Sequence, residues 1–223
     1  MRFLLMDTCG AEGSVALADT ERGESLIANE MLPGRSASER LLPAVKQMLG
    51  AAGWKLKELT AIVVVHGPGS FTGVRVGLSA AKGLSEAGGV PLIAVSRLAV
   101  LAAAAGRSDG EVCAVLDAGR GEFYCGVYAG RMCERESLLT SAEVAATAKN
   151  CIAVVACEAK VGESLSELKP IVVREPLAND ALPFAVQRVA VQEFDDVATL
   201  DANYLRRTDA EIFAKPAKSE GPA

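Results

Sequence analysis

The sequence is short of histidine: His66 is the only one among 223 residues. A metal site that needs two histidines, and the HExxH arrangement of a zinc protease, cannot be built within one copy. A Ser-His-Asp hydrolase would have to use His66, and no GxSxG elbow accompanies it. Aromatics suited to base stacking are also scarce, with one tryptophan and three tyrosines, and the 23 basic and 28 acidic residues leave a net charge of -5 without any dense Lys/Arg block. Proteins that bind nucleic acid alone carry a basic surface, because phosphate neutralisation supplies much of their affinity, so autonomous nucleic-acid binding is not expected. The six cysteines (Cys9, Cys113, Cys125, Cys133, Cys151 and Cys157) include no CxxC pair and match no common zinc spacing. Reduced thiols without disulfides are the reading, and no bound metal is expected. No apolar run reaches eighteen residues, and the opening run Phe3 to Met6 stops at Asp7, too early for the apolar region of a signal peptide. A soluble, cytoplasmic chain with no membrane association is expected.

Half of the residues are apolar, so a substantial core can form. Phe3 to Met6 reads as a strand ending in Asp7, and after a turn with Gly10 and Gly13 the segment Ser14 to Ala18 reads as its return strand. Leu41, Val45, Met48, Leu49 and Ala52 recur at steps of three and four, which predicts an amphipathic helix over Ser36 to Ala52 with Ser36 or Ser38 as its cap. Ala61 to Val65 is a continuous run typical of a strand buried on both faces; it feeds a glycine-rich turn and a helix from about Thr72 to Ala87. Strand Pro91 to Val95 and helix Arg97 to Ala105 repeat the alternation. Together these elements predict an α/β chain built on mixed sheets with packed helices.

Gly106 to Gly110 is the best boundary, and the chain beyond it repeats the beginning. Val112 to Leu116 ends in Asp117, Gly119 and Gly121 come next, and Phe123 to Tyr128 returns, so an apolar strand, an aspartate, a glycine turn and a return strand occur twice. That suggests an internal duplication, with halves over 1–106 and 107–213. The second half continues with a helix near Ser141 to Lys149, strands at Ile152 to Ala156 and Ile171 to Val173, and a helix near Leu182 to Phe194 that has the option of packing back on the first half. Residues 214–223 read as a loose tail.

The most informative segment is GPGSFTG, Gly67 to Gly73, between a buried strand and a helix. Glycines allow close backbone approach and free amides at a helix start favour an anion, so Gly67, Gly69, Ser70 and Thr72 are candidates for holding a phosphate; a tight strand-to-helix turn with a Ser/Thr cap is the alternative. No Gly-Lys-Ser/Thr closes the loop, which excludes a P-loop ATPase or kinase. Asp7 and Asp117, at equivalent points of the two hairpins, either face one another and hold a metal-nucleotide through water or each accept hydrogen bonds within their own turn. In the helix after the loop only Arg75, Ser79 and Lys82 are polar, so most of its circumference is apolar or small. It needs a second packing partner: the Ser36 to Ala52 helix, another subunit, or both.

SERLLPAVKQML (Ser38 to Leu49), GPGSFTGVRVGLSAAKGL (Gly67 to Leu84), the opening LLMDT, LDAGRGEFY (Leu116 to Tyr124) and YLRR (Tyr204 to Arg207) resemble the TsaB (YeaZ) family in order and spacing, over nearly the whole chain. GPGSFTGVR is specific to that family and its paralogue TsaD. The resemblance implies the actin/Hsp70-like (ASKHA) fold of two duplicated halves. In TsaD a histidine pair shortly after the strand matching Pro91 to Val95 holds the metal; here the stretch reads Val95-Ser96-Arg97-Leu98-Ala99-Val100, without ligands. Two further departures are Ala37, where the family often has histidine, and Gly119, followed by Arg120, where it usually has arginine.

What the resemblance implies is a non-catalytic subunit that binds and activates TsaD in threonylcarbamoyl transfer to the adenosine beside the anticodon of tRNA. No catalytic residue and no protease activity are expected. TsaE would be met through the TsaB-TsaD pair, tRNA only within the complex, and a second copy when the chain is alone. The partner surface is expected on the first half, at Leu41, Val45 and Met48 of one helix and Val74, Gly77, Leu78 and Ala81 of the next. No cofactor is required, with at most weak ATP or ADP binding. The competing expectation is an ATP-binding phosphotransferase or hydrolase of the actin-like superfamily; against it, Cys151 to Glu167 hold only Gly162 where a second glycine-rich loop would be needed.

Overall fold

The structure, a computed structural model, describes residues 1–22 and 26–206. The loose tail expected at 214–223 and Arg207 of the YLRR motif lie outside the described residues. The chain folds into two five-stranded sheets. In the first half β1 (Arg2–Asp7), β2 (Gly13–Asp19) and β3 (Leu26–Leu32) form an antiparallel meander; α1 (Ala37–Ala52) leads to β4 (Ala61–Val65), α2 (Phe71–Gly88) to β5 (Leu92–Val95), and α3 (Arg97–Ala104) closes the unit. The second half repeats this order with β6 (Glu111–Gly119), β7 (Glu122–Ala129), β8 (Met132–Thr140), α4 (Ser141–Ala148), β9 (Ala153–Ala156), α5 (Ala159–Ser164), β10 (Ile171–Val172) and α6 (Leu182–Ala190).

The spatial orders are β3-β2-β1-β4-β5 and β10-β9-β6-β7-β8, the same arrangement counted from opposite edges. In both halves the first strand pairs antiparallel with the second and parallel with the fourth. The parallel pairs require crossovers, and α1 and α4 supply them at matching points. The fold is thus the duplicated α/β arrangement expected from the twice-repeated hairpin.

The strands are central for the reason their composition suggests. Every residue of β4 is buried, because helices cover both faces of a parallel strand. Helix α1 turns Leu41, Ala44, Val45, Met48 and Leu49 inward, and Gly53 ends it in the left-handed region at φ 69°, where a residue without a Cβ avoids strain. Ser36 stands at its N-terminus without capping it; its hydroxyl donates instead to the Pro33 carbonyl at 2.7 Å. Helix α6 ends at Ala190, four residues before the expected limit at Phe194: Gln192 adopts a left-handed φ of 54° and the chain turns back, so that Asp195 pairs with Leu92 beside β5.

The halves are fastened at several places, among them helix α3 and the segment after α6. Helix α3 belongs to the first half in sequence, yet Leu98, Val100 and Leu101 share one core with Val112, Leu116, Tyr128, Val155 and Phe184 of the second. At its start, Glu136 of β8 accepts hydrogen bonds from Ser96, from the Tyr128 hydroxyl and from Asn203 Nδ2, the last at 2.5 Å. The segment after α6 runs back across the first half, with the Asn203 amide donating to the His66 carbonyl at 2.9 Å and Lys82 Nζ to the Leu200 carbonyl at 2.9 Å.

Candidate functional site

The GPGSFTG loop lies where β4 meets α2, beneath the turn between β1 and β2. The Ser70 amide donates to the Cys9 carbonyl at 2.8 Å, Ser70 Oγ accepts from the Gly73 amide at 3.3 Å, and Thr8 Oγ1 donates to the Gly73 carbonyl at 2.6 Å. A Cβ on Gly69 would overlap the Cys9 carbonyl oxygen, one on Gly73 the Thr8 carbonyl oxygen, and one on Gly77 the Thr8 hydroxyl. Three glycines at four-residue steps thus let Thr8 and Cys9 lie directly on the loop and the first turns of α2. Packing accounts for this spacing, and the Ser70 and Gly73 amides are already engaged. Gly67 adopts φ 108° and its carbonyl accepts from the Arg97 amide at 2.7 Å. Thr72 is exposed and lines, with Thr8, Gly10, Ala11, Ser70 and Gly73, a cleft of about 430 Å³. A second cleft, of about 470 Å³, opens on the other side of the loop between Phe71, Tyr124, Tyr204, Arg120 and Arg206. Arg75 stacks on Phe71 at 3.5 Å and donates through Nε to the Tyr204 hydroxyl at 2.7 Å.

Of the two roles open to the aspartates, the hydrogen bonds match the second, in which each serves its own turn. Asp7 is buried and accepts from the Cys9 amide at 2.8 Å; burial pushes its carboxyl above the ordinary aspartate value, and the nearby Arg97 guanidinium only partly offsets this. Asp117 accepts from the Gly119 amide at 3.0 Å and from Lys160 Nζ at 2.9 Å, and those bonds hold its carboxyl below the ordinary value. Among the described residues no group of three or more histidine, cysteine or acidic side chains is arranged to hold a metal ion. Cys9 donates to the Val65 carbonyl at 3.1 Å and burial raises its thiol well above the usual range, so it stays protonated.

Between the halves stands a charged pair that the sequence pattern does not single out. Arg97, at the start of α3 and only 4% exposed, donates from Nη2 to Glu175 Oε1 at 2.5 Å. The same oxygen accepts from the Ala11 amide at 3.1 Å, across the cleft. Beyond it, Glu158 accepts from the Asp117 amide at 2.6 Å, and its own burial raises its carboxyl. One signal for Arg97 exists in the chain: a lone cation opening the otherwise apolar run Leu98 to Ala105.

The expected partner residues fall largely inside the chain. Leu41, Val45, Met48, Leu78 and Ala81 lie in the core between α1, α2 and the first sheet, Val74 in the core between the halves, and Gly77 against Thr8. The reason is that α1 and α2 pack on each other as well as on the sheet, so the apolar circumference of α2 is covered from two directions within one chain. The outward faces carry Leu42 and Phe71, about half exposed, with Val76 and Ala80 partly open and Gly83 exposed.

Comparison with known proteins adds the family. The model of the family described as TsaD, tRNA N6-adenosine threonylcarbamoyltransferase, matches residues 31–152. The "tRNA threonylcarbamoyladenosine biosynthesis protein TsaB" of Escherichia coli is 39% identical over 130 residues and that of Bacillus subtilis 37% identical over 129. Each alignment covers 57% of this chain and 55% of the relative, so the chain spans little more than half the length of the curated relatives it matches. Two solved structures from Pseudomonas aeruginosa align more fully. YeaZ has a TM-score of 0.71 at 30% identity over 89% of this chain and 98% of its own, and an uncharacterized protein with similarity to peptidase YEAZ has 0.77 at 30% identity over 92% and 99%. With the duplicated sheets, the glycine row under Thr8 and these likenesses together, the chain belongs to the TsaB (YeaZ) family.

Proposed function

We propose that this chain is a non-catalytic subunit of threonylcarbamoyladenosine biosynthesis, which binds a TsaD-type transferase and holds it active on tRNA. The observation that carries the reading is the fate of the glycine loop. Its glycines receive the chain's own backbone and its capping serine is engaged internally, so the motif shared with the transferase serves here as a packing element. The lone histidine fits this too, since His66 Nδ1 lies 3.2 Å from the Asp201 carbonyl at the crossing of the C-terminal segment, a structural position. The name peptidase attached to one related structure does not extend to this chain in our reading.

The partner surface is placed on the outward faces of the same two helices, at Leu42 of α1 and Val76, Ala80 and Gly83 of α2. The three α2 residues follow the three and four residue steps of one helix face, and small side chains there permit close approach of a partner helix. The subunit needs no cofactor, meets TsaE only through the transferase pair, self-associates through the same face when alone, and works where the tRNA is modified, in the cytoplasm.

The test is co-purification and size-exclusion titration with the TsaD-type transferase of the same organism. Leu42→Glu replaces an exposed group, whereas Ala80 also touches the core beneath α2, so circular dichroism first establishes that Ala80→Glu remains folded. Each is expected to weaken the pair by roughly 10- to 100-fold, the scale of losing one buried aliphatic side chain. Threonylcarbamoyl transfer by the isolated chain, or unchanged affinity in both folded variants, would overturn the reading or its surface respectively.

A further inference from the structure

We propose that Arg97 and the Gly10–Ala11 turn form an oxyanion site that the chain keeps filled with its own Glu175 carboxylate, so that the cleft between the halves is closed to phosphate-bearing ligands from within. The inference stands apart from the partner role and concerns the isolated subunit.

The donors converge on one oxygen. Arg97 Nη2 and the Ala11 amide both point at Glu175 Oε1, at 2.5 and 3.1 Å, and an arginine beside a free backbone amide is the donor set that recognises a phosphate or carboxylate oxygen. The backbone is shaped for that oxygen. A Cβ at Gly10 would overlap Glu175 Oε1, with Arg97 Nη2 only 2.8 Å away, so glycine is the residue that lets the carboxylate reach the turn.

Arg97 is itself a built feature of the interior. It is 4% exposed and its Nε is buried without a partner, so the guanidinium has donor capacity that Glu175 leaves unused. Glu175 differs from it in setting: its side chain is 37% exposed, and it lies between β10 and the short 178–181 turn, outside any helix or strand. Its second oxygen accepts no hydrogen bond among the described residues. A firmly embedded cation thus meets a peripheral carboxylate. An occupant of this kind can be removed without dismantling the site.

Two carboxylates bear on what the opened site would take. Asp7 stands near Arg97 from below and Glu158 from the second half, so a small anion held by two donors and by its own hydration fits better than a fully dehydrated polyphosphate chain. Inorganic phosphate is therefore the probe.

The experiment compares the wild-type chain with Glu175→Ala, Glu175→Gln and Glu175→Ala/Arg97→Gln by calorimetric titration with inorganic phosphate at constant ionic strength. Circular dichroism identifies the variants that remain folded. Glu175→Ala is expected to bind phosphate at least about tenfold more tightly than wild type, and the added Arg97→Gln change to abolish the gain. Glu175→Gln keeps the shape and loses the charge, so it gains affinity in the same direction but less; it replaces the alanine variant as the deciding case if that one unfolds. If the double variant unfolds, Gly10→Val in the Glu175→Ala background crowds the same pocket and must remove the gain instead. No gain in a folded Glu175 variant, or a gain indifferent to both Arg97→Gln and Gly10→Val, would overturn the proposal.

Discussion

The two halves share one topology and differ at the point where both hairpins carry an aspartate. Asp7 is enclosed beneath the first hairpin, beside Arg97, and its carboxyl is raised; Asp117 stands at the edge of the second, paired with Lys160, and its carboxyl is lowered. The glycines differ in the same way. Those of the first half at 69, 73 and 77 are needed because Thr8 and Cys9 press on them, with backbone at the first two and the Thr8 hydroxyl at the third, whereas Gly119, Gly121 and Gly130 of the second have open space around the missing Cβ and are needed for their φ of 75°, 79° and 62°. Duplication has kept the path of the chain. The packing of neighbours has decided what each repeated residue does.

The sharpest way to break this comparison is a pair of alanine substitutions. Gly73→Ala drives a methyl into the Thr8 carbonyl oxygen, which belongs to a backbone held by β1, so the cost is expected at the upper end of overpacking, about 3 kcal/mol. For a chain of this size that is roughly 6–12 °C in melting temperature. Gly130→Ala meets nothing and incurs only the left-handed backbone penalty, about 1 kcal/mol. Thermal melts of the two variants check the ranking. Equal losses would mean that the Thr8 backbone yields to the added methyl and that close packing does not set the first-half glycines apart.

The residues behind this contrast also mark how far the sequence can be read. Buried elements are legible, because Ala61 to Val65, α1 and the paired hairpins write their burial into their composition. The sequence pattern assigns no element to β3, β8 or α5. β3 and β8 are meander edges where Glu30, Glu134 and Glu136 interrupt any alternation, and their cohesion comes from the backbone ladder, which leaves no hydrophobic pattern. α5 is six residues long with a single buried side chain, too short to show a period. The glycine motif is visible in the chain but its cause is not, since Thr8 lies 65 residues away from Gly73. Arg97 and Glu175 are 78 residues apart, and the glutamate sits in a stretch with no regular structure to flag it.

Asp7→Asn sharpens the comparison through pH. Burial outweighs the attraction of Arg97, so the folded state prefers Asp7 protonated: the stability this contributes is complete below the ordinary value of 3.8 and is lost as pH rises through the raised folded value. Asparagine still accepts from the Cys9 amide and carries no charge to desolvate. The variant is therefore expected to melt higher than wild type at pH 7, with the advantage shrinking as pH falls towards 4. Denaturant unfolding across that range measures it. A variant less stable than wild type at pH 7 would show that Arg97 holds the carboxylate more strongly than burial opposes it.

Asp117→Asn carries the smallest expected effect, and its sign is opposite. Its carboxyl is lowered by the hydrogen bonds from Lys160 and the Gly119 amide, so the contribution is present above 3.8 and is lost as pH falls through the lowered folded value. Asparagine keeps an oxygen for the Gly119 amide and loses the ion pair with Lys160, whose side chain is 73% exposed. An exposed pair of this kind is worth at most about 0.5–1 kcal/mol and is screened by salt. The variant should therefore be slightly less stable than wild type at pH 7, with the difference disappearing at high salt and again in acid. The paired series matters more than either variant. If both substitutions shift stability in the same direction at pH 7, the equivalent aspartates share one role in spite of their surroundings, and the contrast between the enclosed and the open hairpin fails at its first residue.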